Sequence, residues 1–447
     1  MNKNIIEFPH LKQLEELLWR QLQKTFSRVM KDILEEMDKQ IMETRDKKRF
    51  RYKKKYPMKI VSLFGEVKVN RTYYRDRETG KYVYLLDRYL DYQGERHFSP
   101  LVEAAAIDLA VKGPSYRKAS EALETLLGYP VMSHEAIRQL LMEVSSVPAP
   151  RLSVPRPVLF VEVDGLYVKR QGKKKKGKEE KIAAVHQGWE TNGKRVRLKN
   201  KRHFIHDGKQ PFWEAFEDFL VDTYEYDPTI HKLVINGDGA HWITACREHF
   251  KGRAFFCIDR FHVARDIRSI CRHHPRYRQM TKALASYDGQ RLLTELNSAV
   301  GTLETEEQEE RLEHLISQLE KYPEALGDYR QWLQEQGINT DGMRPMGSAE
   351  ATMRVFAKRL KNGRSWVDKG VRAMSTGLVA CLDHLSLKTP FGQVEARMDS
   401  KQEDIRTRSY MKKIARTMNE TTRDNLMYLK GKANIPVYQA LKGLRGF

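Results

Sequence analysis

Val158-Leu159-Phe160-Val161-Glu162-Val163-Asp164-Gly165 is the stretch on which the reading of this chain turns. An almost unbroken apolar run that closes on an acid and a glycine is the pattern of a strand buried on both faces. Lys181 to Trp189 and Arg195 to His206 read as the next two strands, and a helix follows from about Pro211 to Thr223. A fourth strand, Lys232-Leu233-Val234-Ile235-Asn236, runs into Gly237-Asp238-Gly239. A further helix and the strand Ala254-Phe255-Phe256-Cys257 complete a βββαβαβ order. The fold class expected is α/β, with a mixed sheet.

That order is RNase H-like, and in it the first and fourth strands are neighbours. Asp164 and Asp238 then meet at adjacent strand ends, each followed by a glycine that lets a bulky group approach the backbone. Two such carboxylates repel one another unless a cation lies between them. Mg²⁺ is the natural cation, and Mn²⁺ a substitute, because carboxylates and phosphate oxygens are hard ligands. Two ions roughly 3.5–4 Å apart can activate a water or sugar hydroxyl and stabilise a leaving oxygen. Glu162 shares the face of Asp164 and is a rival ligand. The third carboxylate is expected from a helix after the sheet, and Glu350 in Gly347-Ser348-Ala349-Glu350 opens one. Arg354, Lys358, Arg359 and Lys361 follow it as a basic face suited to a DNA backbone.

The rest of the chain divides around this unit. Residues 1–56 hold an amphipathic helix, with Leu11, Leu14, Leu18, Leu22, Phe26, Val29, Ile33, Met37 and Ile41 on one face, and a basic segment. Residues 57–97 read as a small β region around Gly65, and 98–147 as a helix-turn-helix-like DNA-binding region. There Ser115 and Ser133 cap two helices, and Arg138 lies on the second, reading helix. The α/β core occupies 155–262, with the basic loop Lys173-Lys174-Lys175-Lys176 between its first strands. A helical insertion covers 263–340, the core is completed over 341–390, and 391–447 is a basic helical tail.

Composition agrees with a nucleic-acid partner. Against 59 acidic residues the 447-residue chain carries 80 Lys plus Arg, a net charge of +21, and such a surplus favours a polyanion. No apolar run approaches the roughly 20 residues of a membrane span. The four cysteines form no CxxC pair, which fits a reducing compartment better than a disulfide framework. A cytoplasmic, nucleoid-associated protein is expected.

Asp164, Asp238 and Glu350, with a helical insertion before the glutamate, resemble the DDE transposases of the Mutator-like superfamily, and most closely the bacterial insertion-sequence transposases of the ISLre type. Asp259-Arg260-Phe261-His262 resembles that superfamily's C/D(2)H signature, and Arg359-Leu360-Lys361-Asn362-Gly363-Arg364-Ser365-Trp366 is similar to the stretch after its catalytic Glu. The resemblance implies cleavage at transposon terminal inverted repeats, then attack of the freed 3′-hydroxyl on target DNA. It implies Asp164, Asp238 and Glu350 as metal ligands. His262, with Asp259 in support, is a candidate to orient the scissile phosphate or a metal-bound water; the competing reading is a histidine that packs and caps the insertion. Arg364 and Trp366 join the DNA-binding set, and Trp242 and Trp366 are candidates for stacking on a flipped base. Since two ends must be joined, at least a dimer is expected on DNA.

Three other readings compete. Cys257, His262, Cys271 and His273 or His274 are soft ligands close in sequence, but their spacing matches no common zinc finger, so structural zinc is disfavoured. A non-catalytic, domesticated DNA-binding regulator would gain nothing from carboxylates facing phosphates. A structure-specific nuclease on the same core needs neither the N-terminal region nor the insertion.

Overall fold

The computed structural model describes residues 10–90, 92, 97–172, 177–193, 195–389 and 392–394. Lys173, Lys174, Lys175 and Lys176, and the tail from 395 onward, lie outside the described residues. The chain divides into two units, one formed by the residues up to Val147 with those from Ser386, the other by Pro148–Leu385. No helix among the described residues is long and apolar enough to cross a membrane.

In the first unit, helix α1 (Leu11–Thr44) is 34 residues long. Val29, Leu34 and Ile41 in its later turns are buried, whereas Leu11, Leu14, Leu18 and Leu22 are exposed. Leu34 and Ile41 pack with Met58, Ile60, Val67, Val69 and Tyr74 of a long hairpin, β1 (Phe50–Ser62) and β2 (Gly65–Asp76). Buried Asp38 joins helix to hairpin by accepting from the Thr72 amide (3.0 Å) and hydroxyl (2.6 Å). The hairpin is longer than the small one expected. Lys55 and Tyr56 of the basic stretch already pair with Thr72 and Arg71, so the expected boundary at 56/57 falls inside a strand.

A short strand β3 (Tyr82–Tyr84) and helix α2 (Leu85–Tyr89) follow. Helices α3 (Pro100–Lys112), α4 (Tyr116–Leu127) and α5 (His134–Met142) pack on one another. Ser115 and Ser133 cap α4 and α5 by accepting from the Lys118 and Ala136 amides, which satisfies donors with no partner inside the helix. Gly128 ends α4 at φ +76°, a left-handed turn that favours glycine. Strand β4 (Ser145–Ser146) pairs with Leu387–Thr389, which pairs in turn with Gly392–Val394.

The second unit is built on a five-stranded mixed sheet. Its strands are β5 (Val158–Val168) and β6 (Lys178–His186), then, after a two-stranded ribbon β7 (Trp189–Asn192) and β8 (Arg195–Leu198), β9 (Arg202–Ile205). Helix α6 (Phe212–Thr223), strand β10 (Lys232–Gly237), the short helices α7 (His241–Thr244) and α8 (Cys246–His249), and strand β11 (Ala254–Ile258) complete it. The order across the sheet is β11-β10-β5-β6-β9. Strands β5, β10 and β11 are parallel, while β6 runs antiparallel to β5 and β9 antiparallel to β6. The third strand is shorter than expected. Gly188, at φ +104°, turns the chain out of the sheet, so Arg195–Leu198 joins the ribbon and only Arg202–Ile205 reaches β6.

Alternation along β5 puts Leu159, Val161 and Val163 in one apolar cluster with Leu233, Ile235 and the α6 side chains Phe212, Phe216 and Leu220. Val158 and Phe160 enter a second cluster, with Val234, Cys257, Tyr329 and Leu333. Both faces are therefore covered, which is why the β5 sequence is apolar throughout. The insertion is α9 (Arg260–Cys271), α10 (Tyr277–Ala285), α11 (Gly289–Asn297), α12 (Glu306–Glu320), a 3-10 turn at Pro323–Leu326 and α13 (Tyr329–Glu335). Leu292, Leu296, Leu312 and Leu315 of this region share the first apolar cluster with the sheet. Helices α14 (Ala349–Leu360) and α15 (Asp368–Asp383) close the unit, α14 packing against β5 and α15 against β9.

Candidate active site

Strand register brings two aspartates together. Strand β10 pairs with β5 up to Asn236 opposite Glu162, so Asp238, two residues on, stands level with Asp164. Contrary to expectation, Asp164 does not end its strand. β5 continues beside β6, with Asp164 opposite Ile182, while β10 stops and the Asp238 turn takes its place. Glycine permits this closure: a Cβ on Gly237 would lie 2.6 Å from the Ile243 side chain and 3.3 Å from the Val163 carbonyl oxygen. Asp164 Oδ1 accepts from the Gly165 amide (2.7 Å) and Asp238 Oδ1 from the Ala240 amide (3.0 Å). Burial pushes the Asp164 carboxyl up to about 6; the charges of Asp238 and Asp259 act in the same direction, against the Gly165 amide and His262.

Strand β11 adds the third and fourth members of this group. The buried Asp259 follows it, and its amide donates to the Gly237 carbonyl (2.7 Å). Its carboxylate caps α9 by accepting from the Phe261 amide (2.9 Å), and its other oxygen holds His262 Nδ1 at 2.8 Å. That hydrogen bond is the main reason the His262 pKa is raised. Both oxygens of Asp259 are thus engaged in placing a helix and an imidazole, a positioning role.

Glu162, a rival metal ligand by its place on β5, has a different task in the structure. Its Oε1 accepts from the amides of Gly347 (3.0 Å) and Ser348 (2.7 Å), and its Oε2 from Ala349 (2.8 Å) and the Asn236 side chain (3.3 Å). A buried carboxylate here neutralises the positive end of α14 and satisfies its unpaired amides. With its oxygens so occupied, Glu162 serves as the clamp of α14 in place of a metal ligand. Glu350 stands exposed in the first turn of the clamped helix, and Arg354, Lys358 and Lys361 are exposed along the same side.

Buried polar groups behind the site extend the clamp, and nothing in the sequence pattern announced their partners. Asp383 on α15 accepts from the His203 amide (2.9 Å) and meets His203 Nδ1 at 2.6 Å. Lys201 Nζ donates to Thr352 Oγ1 on α14 (2.6 Å); burial lowers the Lys201 pKa, while Glu162 and Asp383 act to raise it.

Several expected DNA contacts are placed elsewhere. Arg359 lies about two and a half turns beyond Glu350, on the opposite side of α14, where it is buried with its guanidinium 5.7 Å from the Trp366 ring. Trp366 is 8% exposed and donates to the Leu360 carbonyl (2.9 Å), so it is a packing residue without a free ring face. Arg364 donates to the carbonyls of Lys358 (3.0 Å) and Arg359 (2.9 Å), closing the end of α14. The Trp242 ring is packed edge-on by Phe212 and covered by Lys181 Nζ at 4.7 Å. Arg138 is paired with Glu135 one turn earlier on α5.

The metal question rests on donor chemistry. Among the described residues no group of three or more His, Cys, Asp or Glu is gathered tightly enough to hold an ion. Cys257 and Cys271 are buried in separate apolar clusters, so the soft ligands do not converge. Asp164 and Asp238 offer hard oxygens and carry a like-charge conflict that a divalent cation relieves, which fits Mg²⁺ or Mn²⁺.

Comparison with known proteins places the chain. Two UPF0236 proteins of Caldanaerobacter subterraneus subsp. tengcongensis are each 24% identical over 419 residues, covering 89% of this chain and 84% and 80% of their own lengths. Among solved structures, the Drosophila P element transposase strand transfer complex is matched over 77% of this chain and 96% of that one, at 10% identity and a TM-score of 0.26; a likeness that loose carries no argument. The model of an uncharacterised protein family, UPF0236, matches residues 4–396, and the chain therefore belongs to the UPF0236 family.

Proposed function

We propose that this chain is the DNA transposase of an insertion sequence, a DDE enzyme of the Mutator-like superfamily and of the ISLre type. The observation that carries the reading is the register that sets Asp238 level with Asp164, with the Asp164 carboxyl held up at about 6. The sheet order supports an RNase H-like core. Taken in chain order its strands lie 5-4-1-2-3 across the sheet, with the fourth and fifth parallel to the first and the second antiparallel to it. Asp164 and Asp238 would hold Mg²⁺, or Mn²⁺ in its place, with Glu350 as the third carboxylate. Bound there, the metal supplies Lewis acidity and lowers the pKa of an attacking hydroxyl.

The chain's own groups do the rest. His262, its basicity raised and its ring held by Asp259, donates a hydrogen bond to a phosphate oxygen at the cut. Arg354, Lys358 and Lys361 sit along the side of α14 that carries Glu350 and hold the backbone by charge. The Glu162 clamp fixes that helix against β5, so a glutamate remote in sequence is kept in constant relation to Asp164. The partners are the element's terminal repeats and the target DNA, with two copies of the chain joining two ends.

The test is strand joining. Full-length protein is incubated with Mg²⁺, a labelled duplex carrying the DNA that flanks the gene, and a supercoiled plasmid. Covalent transfer of label to the plasmid is the expected result. Nicking without joining would indicate a nuclease; end-specific binding without either, under Mg²⁺ and Mn²⁺, would indicate a regulator.

A further inference from the structure

The insertion carries a basic cavity that the mechanism above does not use. It has a volume of about 600 Å³, and its lining includes Arg265, Arg268, Arg272, His273 and His274, against one acid, Glu304, among the described lining residues. Arg265, Arg268, Arg272 and His273 are exposed. Arg265 lies 3.6 Å from its neighbour Asp266, while among the described residues neither Arg268 nor Arg272 has a carboxylate partner. His274 is held by the Thr302 hydroxyl at 3.0 Å, which ties the cavity rim to the loop before α12.

Two arginines without a carboxylate partner among the described residues, and a third paired only with its chain neighbour, line one concave wall and together favour an anion. Guanidinium groups are suited to phosphate, because they offer paired donors and shed water readily. Helix α9 links the cavity to the candidate active site. Arg265 and Arg268 belong to α9, which Asp259 caps and whose first turn carries His262, and Arg272 is its C-terminal cap; His262, Arg265, Ser269 and Arg272 recur at spacings of three and four along one stripe. From His262 to Arg272 the helix rises about 15 Å, a distance that takes in several phosphates of one DNA strand.

We propose that this cavity is a phosphate-binding site for the DNA backbone flanking the cut, with α9 as the track that leads from His262 into the insertion. The proposal rests on the DNA-cutting reading and adds to it the surface that holds the flank. A free phosphate compound offers the same chemistry, so the experiment separates the two sources.

The full-length triple variant Arg265→Gln, Arg268→Gln, Arg272→Gln is compared with wild type and with a charge-matched control, Lys251→Gln, Lys282→Gln, Lys321→Gln, whose residues lie outside the cavity lining. Binding of a short fluorescein-labelled duplex is followed by anisotropy across a salt series, and binding of inorganic pyrophosphate by calorimetry. Thermal melts confirm that each variant is folded. The expected result is a loss of roughly 10- to 100-fold in duplex affinity for the arginine variant and a salt slope smaller by two to three, about one for each phosphate contact removed, with the control close to wild type. Equal affinity and slope in wild type and arginine variant would overturn the proposal while leaving the transposase reading intact. Pyrophosphate binding that is lost in the arginine variant, beside unchanged duplex binding, would assign the cavity to a free phosphate ligand and likewise overturn it. Failure of the wild type to bind DNA at all would overturn the functional reading itself.

Discussion

Replacing Asp164 with asparagine is expected to abolish strand cleavage and, at the same time, to make the metal-free protein more stable. Burial and the neighbouring charges of Asp238 and Asp259 lift the Asp164 carboxyl from 3.8 to about 6, so keeping it ionised at neutral pH costs the fold up to about 3 kcal/mol. Asparagine removes the charge and keeps the shape. The sign follows from proton binding. Since the folded-state pKa lies above the unfolded value, the group favours the folded state most below about 3.8 and loses that contribution as pH rises through about 6. The variant should therefore be more stable than wild type by roughly 1–3 kcal/mol at pH 7.5, with the difference shrinking to nothing near pH 4. Cleavage should fall by about 10³-fold or more, because the substituted amide is a poor ligand for a hard cation. Urea unfolding at the two pH values measures the first effect. A variant no more stable than wild type at pH 7.5 would mean that Asp164 is not under electrostatic strain.

The second large effect belongs to Glu162, which makes no contact with substrate in this account. Its carboxylate accepts three backbone amides at the start of α14 and one side-chain amide from Asn236. Glutamine offers one acceptor oxygen and turns an NH₂ group toward donors, leaving buried amides unsatisfied. A stability loss of about 2–4 kcal/mol is expected for Glu162→Gln, from lost charge-assisted hydrogen bonds and the unpaired donors left behind. Because α14 carries Glu350, cleavage by the remaining folded protein should drop by roughly 100-fold, in line with the cost of a small misplacement of a catalytic group. Chemical denaturation, and single-turnover cleavage under conditions where the variant is folded, measure the two losses separately. Stability within about 0.5 kcal/mol of wild type, the range of an ordinary surface substitution, would show that the clamp contributes nothing.

The alternation of strands and helices was legible in the sequence because β5, β10 and β11 are apolar along most of their length, and β10 and β11 run into an acid at Asp238 and Asp259. The pairing of Asp164 with Asp238 followed from that order, since parallel neighbours put equivalent strand positions side by side. Ser115 and Ser133 were legible for a local reason: a cap acts on amides two or three residues away. What could not be read depends on distance in sequence. Nothing near Glu162 indicates that its partners are the amides of Gly347, Ser348 and Ala349, and nothing near His203 points to Asp383. The basic residues after Glu350 show the same limit. Arg354 and Lys358 keep the exposed side by helical spacing, while Arg359 faces inward and Arg364 and Trp366 fold back onto the helix they follow. Residue type marked all of them as DNA contacts; position on the helix separates them.

The most direct test of the central claim is cleavage of one labelled end duplex by wild type, Asp164→Asn, Asp238→Asn and Glu350→Gln, in Mg²⁺ and in EDTA, with duplex binding measured on the same samples. Metal-dependent nicking by wild type is expected, with loss of about 10³-fold or more in each variant and binding retained. Nicking by any of the three at the wild-type rate would remove that residue from the active site. Nicking by all three, or by wild type in EDTA, would contradict the account as a whole.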